Sequence, residues 1–145
     1  MSLRELYQEI IVDHGKSPRN IGKIENASHT HMGHNPLCGD KLHLYLNEKN
    51  GVIENVVFEG SGCAISMASA SLMTEIIKGK SLTAVDHLFQ SFHQLVTTGV
   101  ALDDVGKLAV FGGVAEFPVR VKCATLAWHT LKAALTDDTE AASTE

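Results

Sequence analysis

Three cysteines stand in this 145-residue chain, each in a setting that suits a metal-binding or reactive thiol. Cys38 lies in Asn35-Pro36-Leu37-Cys38-Gly39-Asp40, a turn-rich stretch with a carboxylate two residues on. Cys63 follows Gly60-Ser61-Gly62, and Cys123 follows Phe117-Pro118-Val119-Arg120-Val121-Lys122; each opens a helical pattern. An odd number of cysteines cannot all be paired in disulfides, so at least one thiol is free or bound to something else. Three thiolates and Asp40 form a donor set of three sulfurs and one oxygen, suited to zinc or an iron–sulfur cluster. Thiolates are both soft ligands and strong nucleophiles, so the same set serves metal binding or sulfur transfer.

Asp40 gives the set its character. A carboxylate is a harder and more exchangeable ligand than a thiolate, and Gly39 lets the two side chains converge. One weak ligand suits a site that opens better than a closed structural zinc site. Cys63 and Cys123 both fall at expected helix starts, where unpaired N–H groups and partial positive charge favour a thiolate; Arg120 and Lys122 add charge beside Cys123. The spacing itself is weak support, because no CxxC pair anchors it. Buried, inert core thiols remain the open alternative, although the turn residues around Cys38 weigh against it. Arg120 has an ordinary alternative as well, an ion pair with Glu116. His29, His31 and His34 lie close together in a polar stretch and read as solvated rather than as ligands.

The elements that must position these residues follow from periodicity. Leu3, Leu6, Tyr7, Ile10 and Ile11 mark an amphipathic helix over residues 2–14, stopped by Gly15 and Pro18. Residues 15–40 are rich in Gly, Pro, Asn, Ser and His and read as a long surface excursion. Leu42, Leu44 and Leu46 alternate as in a half-buried strand, Asn50-Gly51 supplies a tight hairpin turn, and residues 52–59 return with Val56 and Phe58 on one face. Ile65, Ala68, Leu72 and Ile76 repeat helically from Cys63 to Lys78, in an Ala/Ser-rich stretch suited to close packing. Further helices are expected over Leu82–Val96, over Asp103–Phe111 ending at Gly112-Gly113, and from about Pro118 through Leu126, Trp128, Leu131 and Leu135. The order implies an α+β fold, with several helices on one side of a small antiparallel β-sheet. One domain over 1–136 is expected, followed by an acidic tail over 137–145 with no large apolar side chain, expected to be disordered.

Composition narrows the function classes. Apolar residues make up 44% and charged residues 20%, as in ordinary globular proteins, and the net charge is −5. A nucleic-acid partner is not expected without a basic patch. No apolar run approaches the roughly 20 residues of a membrane-spanning helix, so no membrane association is expected. The first residues mix acid and base without an apolar segment, which leaves a cytoplasmic setting with reduced thiols as the expectation.

Four ordered stretches resemble the U-type iron–sulfur cluster assembly family, and specifically its SufU branch. They are Leu6-Tyr7-Gln8-Glu9-Ile10-Ile11-Val12-Asp13-His14 with Ser17-Pro18-Arg19-Asn20; Asn35 to Asp40; Phe58 to Ser66 with Ala68-Ser69-Ala70-Ser71; and Phe117 to Ala124 with Leu126 and Trp128. They span nearly the whole chain outside the tail. The IscU scaffold branch of the family places a histidine before the third cysteine and a Leu-Pro-Pro-Val-Lys segment before that. Here Lys122 takes the histidine's place, Arg120 the lysine's, and Glu116-Phe117-Pro118 replaces Leu-Pro-Pro, as in the SufU branch. The resemblance implies a SufE/IscU-like fold and a zinc ion held by Cys38, Asp40, Cys63 and Cys123. It further implies acceptance of persulfide sulfur from a SufS-type cysteine desulfurase, with Cys38 receiving it and Arg120 stabilising the freed thiolate or contacting the partner. Downstream iron–sulfur assembly proteins would take the sulfur onward. The alternative within the family is a scaffold that binds iron or a [2Fe–2S] cluster through the same ligands.

Overall fold

Three antiparallel strands lie against four helices in the computed structural model, which describes residues 2–101, 105–136 and 142–143. In chain order the elements are α1 (Leu3–Lys16), β1 (His29–Asn35), β2 (Asp40–Lys49), β3 (Val52–Ser61), α2 (Ala64–Ile77) and α3 (Leu82–Thr98). A 3₁₀ segment (Gly106–Glu116), α4 (Pro118–Leu135) and a two-residue β4 (Ala142–Ser143) complete them. The sheet runs β3-β2-β1-β4, with β4 parallel to β1 and the other pairs antiparallel. This is the expected α+β architecture. Of the tail, residues 137–141 and 144–145 lie outside the described residues.

Helix α1 begins with Ser2, whose hydroxyl accepts the Glu5 N–H at 3.1 Å. It runs two residues beyond the expected end and passes through Gly15. The glycine is there for packing, not termination: a Cβ at residue 15 would sit 3.0 Å from the Ala64 backbone, so α1 and α2 meet with no room for one.

The expected excursion over residues 15–40 is the larger correction, because it contains β1. His31, Gly33 and Asn35 turn inward while Thr30, Met32 and His34 are exposed, a period-2 pattern without a single large inward aliphatic. Hydrophobic alternation was therefore absent although the strand geometry is present. Its histidines are consequently sheet residues: His31 is buried and His29 pairs with Glu48 at 2.9 Å, while His34 is exposed as expected. Segment 20–22 is tied down too, with the Phe58 N–H bonded to the Asn20 carbonyl and the Gly22 N–H to the Phe58 carbonyl, each at 3.0 Å.

Strands β2 and β3 form the expected hairpin, closed by Asn50 (φ 54°) and Gly51 (φ 76°), both left-handed. Leu42, Leu44, Leu46, Ile53, Val56 and Phe58 all face the helices and are buried. Helix α2 is the centre of the domain, buried along nearly its whole length from Ser66 to Thr74. Small side chains let its neighbours approach, and its hydroxyls fasten them. The Ser71 hydroxyl meets His14 Nδ1 at 2.7 Å and the Arg19 N–H at 2.9 Å, while Ser69 donates to the Ala124 carbonyl at 2.6 Å.

Helix α3 runs to Thr98 and ends on Gly99 (φ 81°). The short helix expected over 103–111 is instead a 3₁₀ segment that continues through Gly112 and Gly113; Asp103 itself lies outside the described residues. Helix α4 starts at Pro118, which supplies a helical φ and lacks the N–H that would go unpaired there. Its Trp128 stacks on Phe92 at 4.8 Å between ring centroids, and Phe111 meets Phe92 edge-on at 5.6 Å. No helix among the described residues is long and apolar enough to cross a membrane.

Candidate metal centre

The turn that joins β1 to β2, the N-terminus of α2 and the second turn of α4 converge at one end of the sheet. Cys38 sits in the four-residue connection between β1 and β2, half-buried, with Gly39 beside it in the left-handed region at φ 72°. The Cys38 and Asp40 side chains converge around that glycine, as expected, with donor atoms within 4.8 Å of each other. Asp40 opens β2 and is fully buried. Its Oδ1 accepts the Cys63 backbone N–H at 2.8 Å, and its Oδ2 accepts the Asn35 side-chain N–H at 3.3 Å.

Cys123 is fully buried, with its Sγ 3.2 Å from Cys38 Sγ. One donor atom each from Cys38, Asp40 and Cys123 lies within 4.8 Å of the other two, and no other such trio of metal-ligating types occurs among the described residues. Donors sharing one zinc ion through bonds of about 2.0–2.3 Å stand roughly 3.5 Å apart, so this donor set and spacing fit such an ion. Cys63, the fourth expected member, falls outside the trio and caps α2, its Sγ accepting the Ser66 N–H at 3.4 Å. Its thiol nonetheless adjoins Cys123, because it is among the groups that raise the Cys123 pKa.

Two expectations for Cys123 change. It is the sixth residue of α4, not the first, so the free N–H groups of the helix start do not serve it. Burial, then the Cys38 and Cys63 thiols, pushes its pKa upward instead of letting the helix lower it. A metal ion would have to displace that proton. Arg120 lies one turn earlier on α4, exposed, and no ion pair with Glu116 forms. It lines a groove of about 870 Å³ together with Arg4 and Tyr7 of α1, Ile65 beside Cys63, and Phe117.

The sequence fragments that carry the site also place the chain among known proteins. The family described as NifU-like N-terminal domain matches residues 6–142. The chain belongs to that family. It is 40% identical over 134 residues to the zinc-dependent sulfurtransferase SufU of Bacillus subtilis, covering 90% of each. It is 39% identical over 138 residues to the iron–sulfur cluster assembly scaffold protein IscU of Thermotoga maritima, covering 93% of this chain and 96% of that protein. Among solved structures, a protein described as an iron–sulfur cluster assembly scaffold for the SUF system of Fervidobacterium islandicum AW-1 superposes with a TM-score of 0.84. It shares 38% identity and covers 92% of this chain and 99% of that one. Relatives carrying either name align equally well, so identity by itself does not choose between sulfur carrier and scaffold.

Sequence reading named the thiols and Asp40 but passed over Asn35, which is fully buried behind them. Its carboxamide nitrogen faces both Asp40 and Cys123 Sγ. The available signal was the Asn-Pro pair, which reads as turn chemistry and conceals a second use of the amide.

Proposed function

We propose that this chain is a zinc-dependent sulfurtransferase that accepts persulfide sulfur from a SufS-type cysteine desulfurase and passes it into iron–sulfur cluster assembly. The observation that carries the reading is the inequality of the thiols around one buried carboxylate. Cys38 stands on a short, half-exposed turn 3.2 Å from Cys123, which is wholly enclosed. Zinc would be held by Cys38, Asp40, Cys63 and Cys123, and would keep the thiols ionised and protected from oxidation.

Cys38 has the access and Cys123 does not. As a thiolate, Cys38 attacks the terminal sulfur of the desulfurase persulfide. A new S–S bond forms to Cys38, the S–S bond within the donor breaks, and the donor cysteine leaves as thiolate, with no net oxidation. Arg120, exposed one turn before Cys123 on α4, would contact the partner or steady the freed thiolate. Leu37 beside Cys38, and Phe117 and Val119 at the start of α4, are each more than half exposed and offer apolar surface that a partner would cover. The replacement of the scaffold histidine by Lys122 supports a carrier over a platform.

The test is sulfide release by the desulfurase with cysteine as substrate, measured with this protein zinc-loaded, metal-depleted, and as Cys38→Ala. Strong stimulation by the loaded protein, lost in the other two, is the expected result. Absence of stimulation, with a [2Fe–2S] cluster forming on the protein and moving to an apo-acceptor, would establish the scaffold reading favoured by the IscU-named relatives.

A further inference from the structure

Asn35 closes β1 fully buried, and every polar atom of its side chain is engaged around the centre. Its Oδ1 accepts the Leu37 N–H at 3.3 Å and its backbone carbonyl accepts the Cys38 N–H at 3.3 Å, so the turn that carries Cys38 hangs from this one residue. The side-chain nitrogen has two hydrogens to give. It lies 3.3 Å from Asp40 Oδ2 and 3.6 Å from Cys123 Sγ, which provides one donor for the carboxylate and one for the sulfur. The other carboxylate oxygen is already held by the Cys63 N–H. One carboxamide therefore links a strand end, the Cys38 turn, Asp40 and α4.

We propose that Asn35 is a positioning residue of the metal centre, whose amide holds Asp40 and Cys123 in the orientation that binds the ion. The assignment rests on the reading of Cys38, Asp40, Cys63 and Cys123 as ligands. Its physical basis is the absence of a substitute. Asp40, Cys123 and Asn35 are all fully buried, so water does not take over a donor that is removed. Hydrogen bonds from outside the ligand set orient ligands and tune their basicity, and their loss commonly changes metal affinity about 10–100-fold.

Asn35→Ser separates this role from turn-making, because a serine hydroxyl still accepts the Leu37 N–H while the carboxamide nitrogen is gone. Zinc affinity is measured by chelator competition, and cobalt(II) is substituted to read the thiolate charge-transfer and ligand-field bands. The expected result is zinc binding about 10–100-fold weaker than wild type, with displaced cobalt bands. Wild-type affinity together with wild-type bands would overturn the proposal. Should Asn35→Ser fail to fold, the unmodified protein loaded with cadmium-113 decides the matter. Scalar coupling from the metal to an Asn35 side-chain proton, relayed by the Cys123 sulfur, supports the proposal; no coupling and unchanged amide shifts on metal loading overturn it. A wild-type protein that holds no zinc through these residues would overturn the ligand reading and this assignment together. Normal zinc binding with an indifferent Asn35→Ser would remove this assignment alone.

Discussion

Gly62 offers a way to disturb the centre without removing a ligand. It occupies the junction between β3 and α2, where a Cβ would collide with Asp40 Oδ1 and lie 3.0 Å from both Cβ and Cγ of that side chain. Asp40 cannot retreat freely, because Asn35 bonds its other oxygen and the residue is fully enclosed. Gly62→Ala must therefore displace the carboxylate and break its 2.8 Å bond from the Cys63 N–H. Overpacking of this kind costs about 1–3 kcal/mol. Loss of a hydrogen bond to a charged group costs about 1.5–3 kcal/mol, and since both follow from one displacement they do not simply add. We expect about 2–4 kcal/mol in all, or a melting midpoint lowered by roughly 5–15 °C in a domain of this size.

The comparison is Gly39→Ala. There nothing lies within 4 Å of the added methyl, and the cost comes from the backbone at φ 72°. That cost is about 1–2 kcal/mol. Urea unfolding of both variants, metal-depleted and kept reduced, gives the two numbers directly. If Gly62→Ala is no less stable than Gly39→Ala, Asp40 is not clamped between residue 62 and Asn35, and the account of the site given above fails.

Other outcomes follow from the same contacts. A Cβ at Gly33 would collide with the Thr130 hydroxyl, so Gly33→Ala should cost about 1–3 kcal/mol and Thr130→Ala should restore part of it in a double-mutant cycle; simple additivity would refute the contact. His14 is held below its ordinary value of 6.5 by burial first and then by Arg19, and His129 by burial, His93 and Lys132. Both bind a proton more readily unfolded, so stability is full above about 6.5 and falls as pH drops through that value toward their lower folded values. The melting midpoint should therefore decline between about pH 7.5 and 5.5, less steeply in His14→Gln; a flat midpoint would contradict it. In metal-free protein, peroxide should oxidise Cys38 and Cys123 to one disulfide, since their sulfurs are 3.2 Å apart, with the two thiol hydrogens leaving as water. Alkylation and peptide mapping should then label Cys63 alone, and a disulfide containing Cys63 would refute the pairing.

What the sequence disclosed, and what it concealed, divides along physical lines. Leu42, Leu44 and Leu46 announced β2 because each inward position is a large aliphatic, and Asn50-Gly51 announced the turn because few residues accept its φ. β1 stayed hidden because its inward positions hold His31, Gly33 and Asn35, chosen for what they touch and not for hydrophobicity. Gly33 leaves room for Thr130, and Asn35 reaches the centre. Gly15 misled for a related reason: a glycine that makes room for a neighbouring helix looks the same as one that ends its own. The displacement of Cys123 from helix start to second turn was legible in principle, since Pro118 marks the first position and Cys123 stands five residues later. Its elevated pKa was not, because burial is a property of the packed domain.

The geometry also bears on which thiol can do the work. Cys63 is half-buried like Cys38, so exposure alone does not choose between them. Cys63, however, is the cap of α2, with its sulfur on the Ser66 N–H and its own N–H on Asp40. Moving it would uncap the central helix and release the carboxylate in one step. Cys38 rides on a four-residue connection, and its backbone N–H is tied at 3.3 Å only to the Asn35 carbonyl, while Gly39 next to it has open space around it. The cost of displacing Cys38 toward a partner is thus confined to one turn. That of displacing Cys63 spreads through α2 into the core, so under the proposed function Cys38 is the thiol that moves and Cys63 the one that stays.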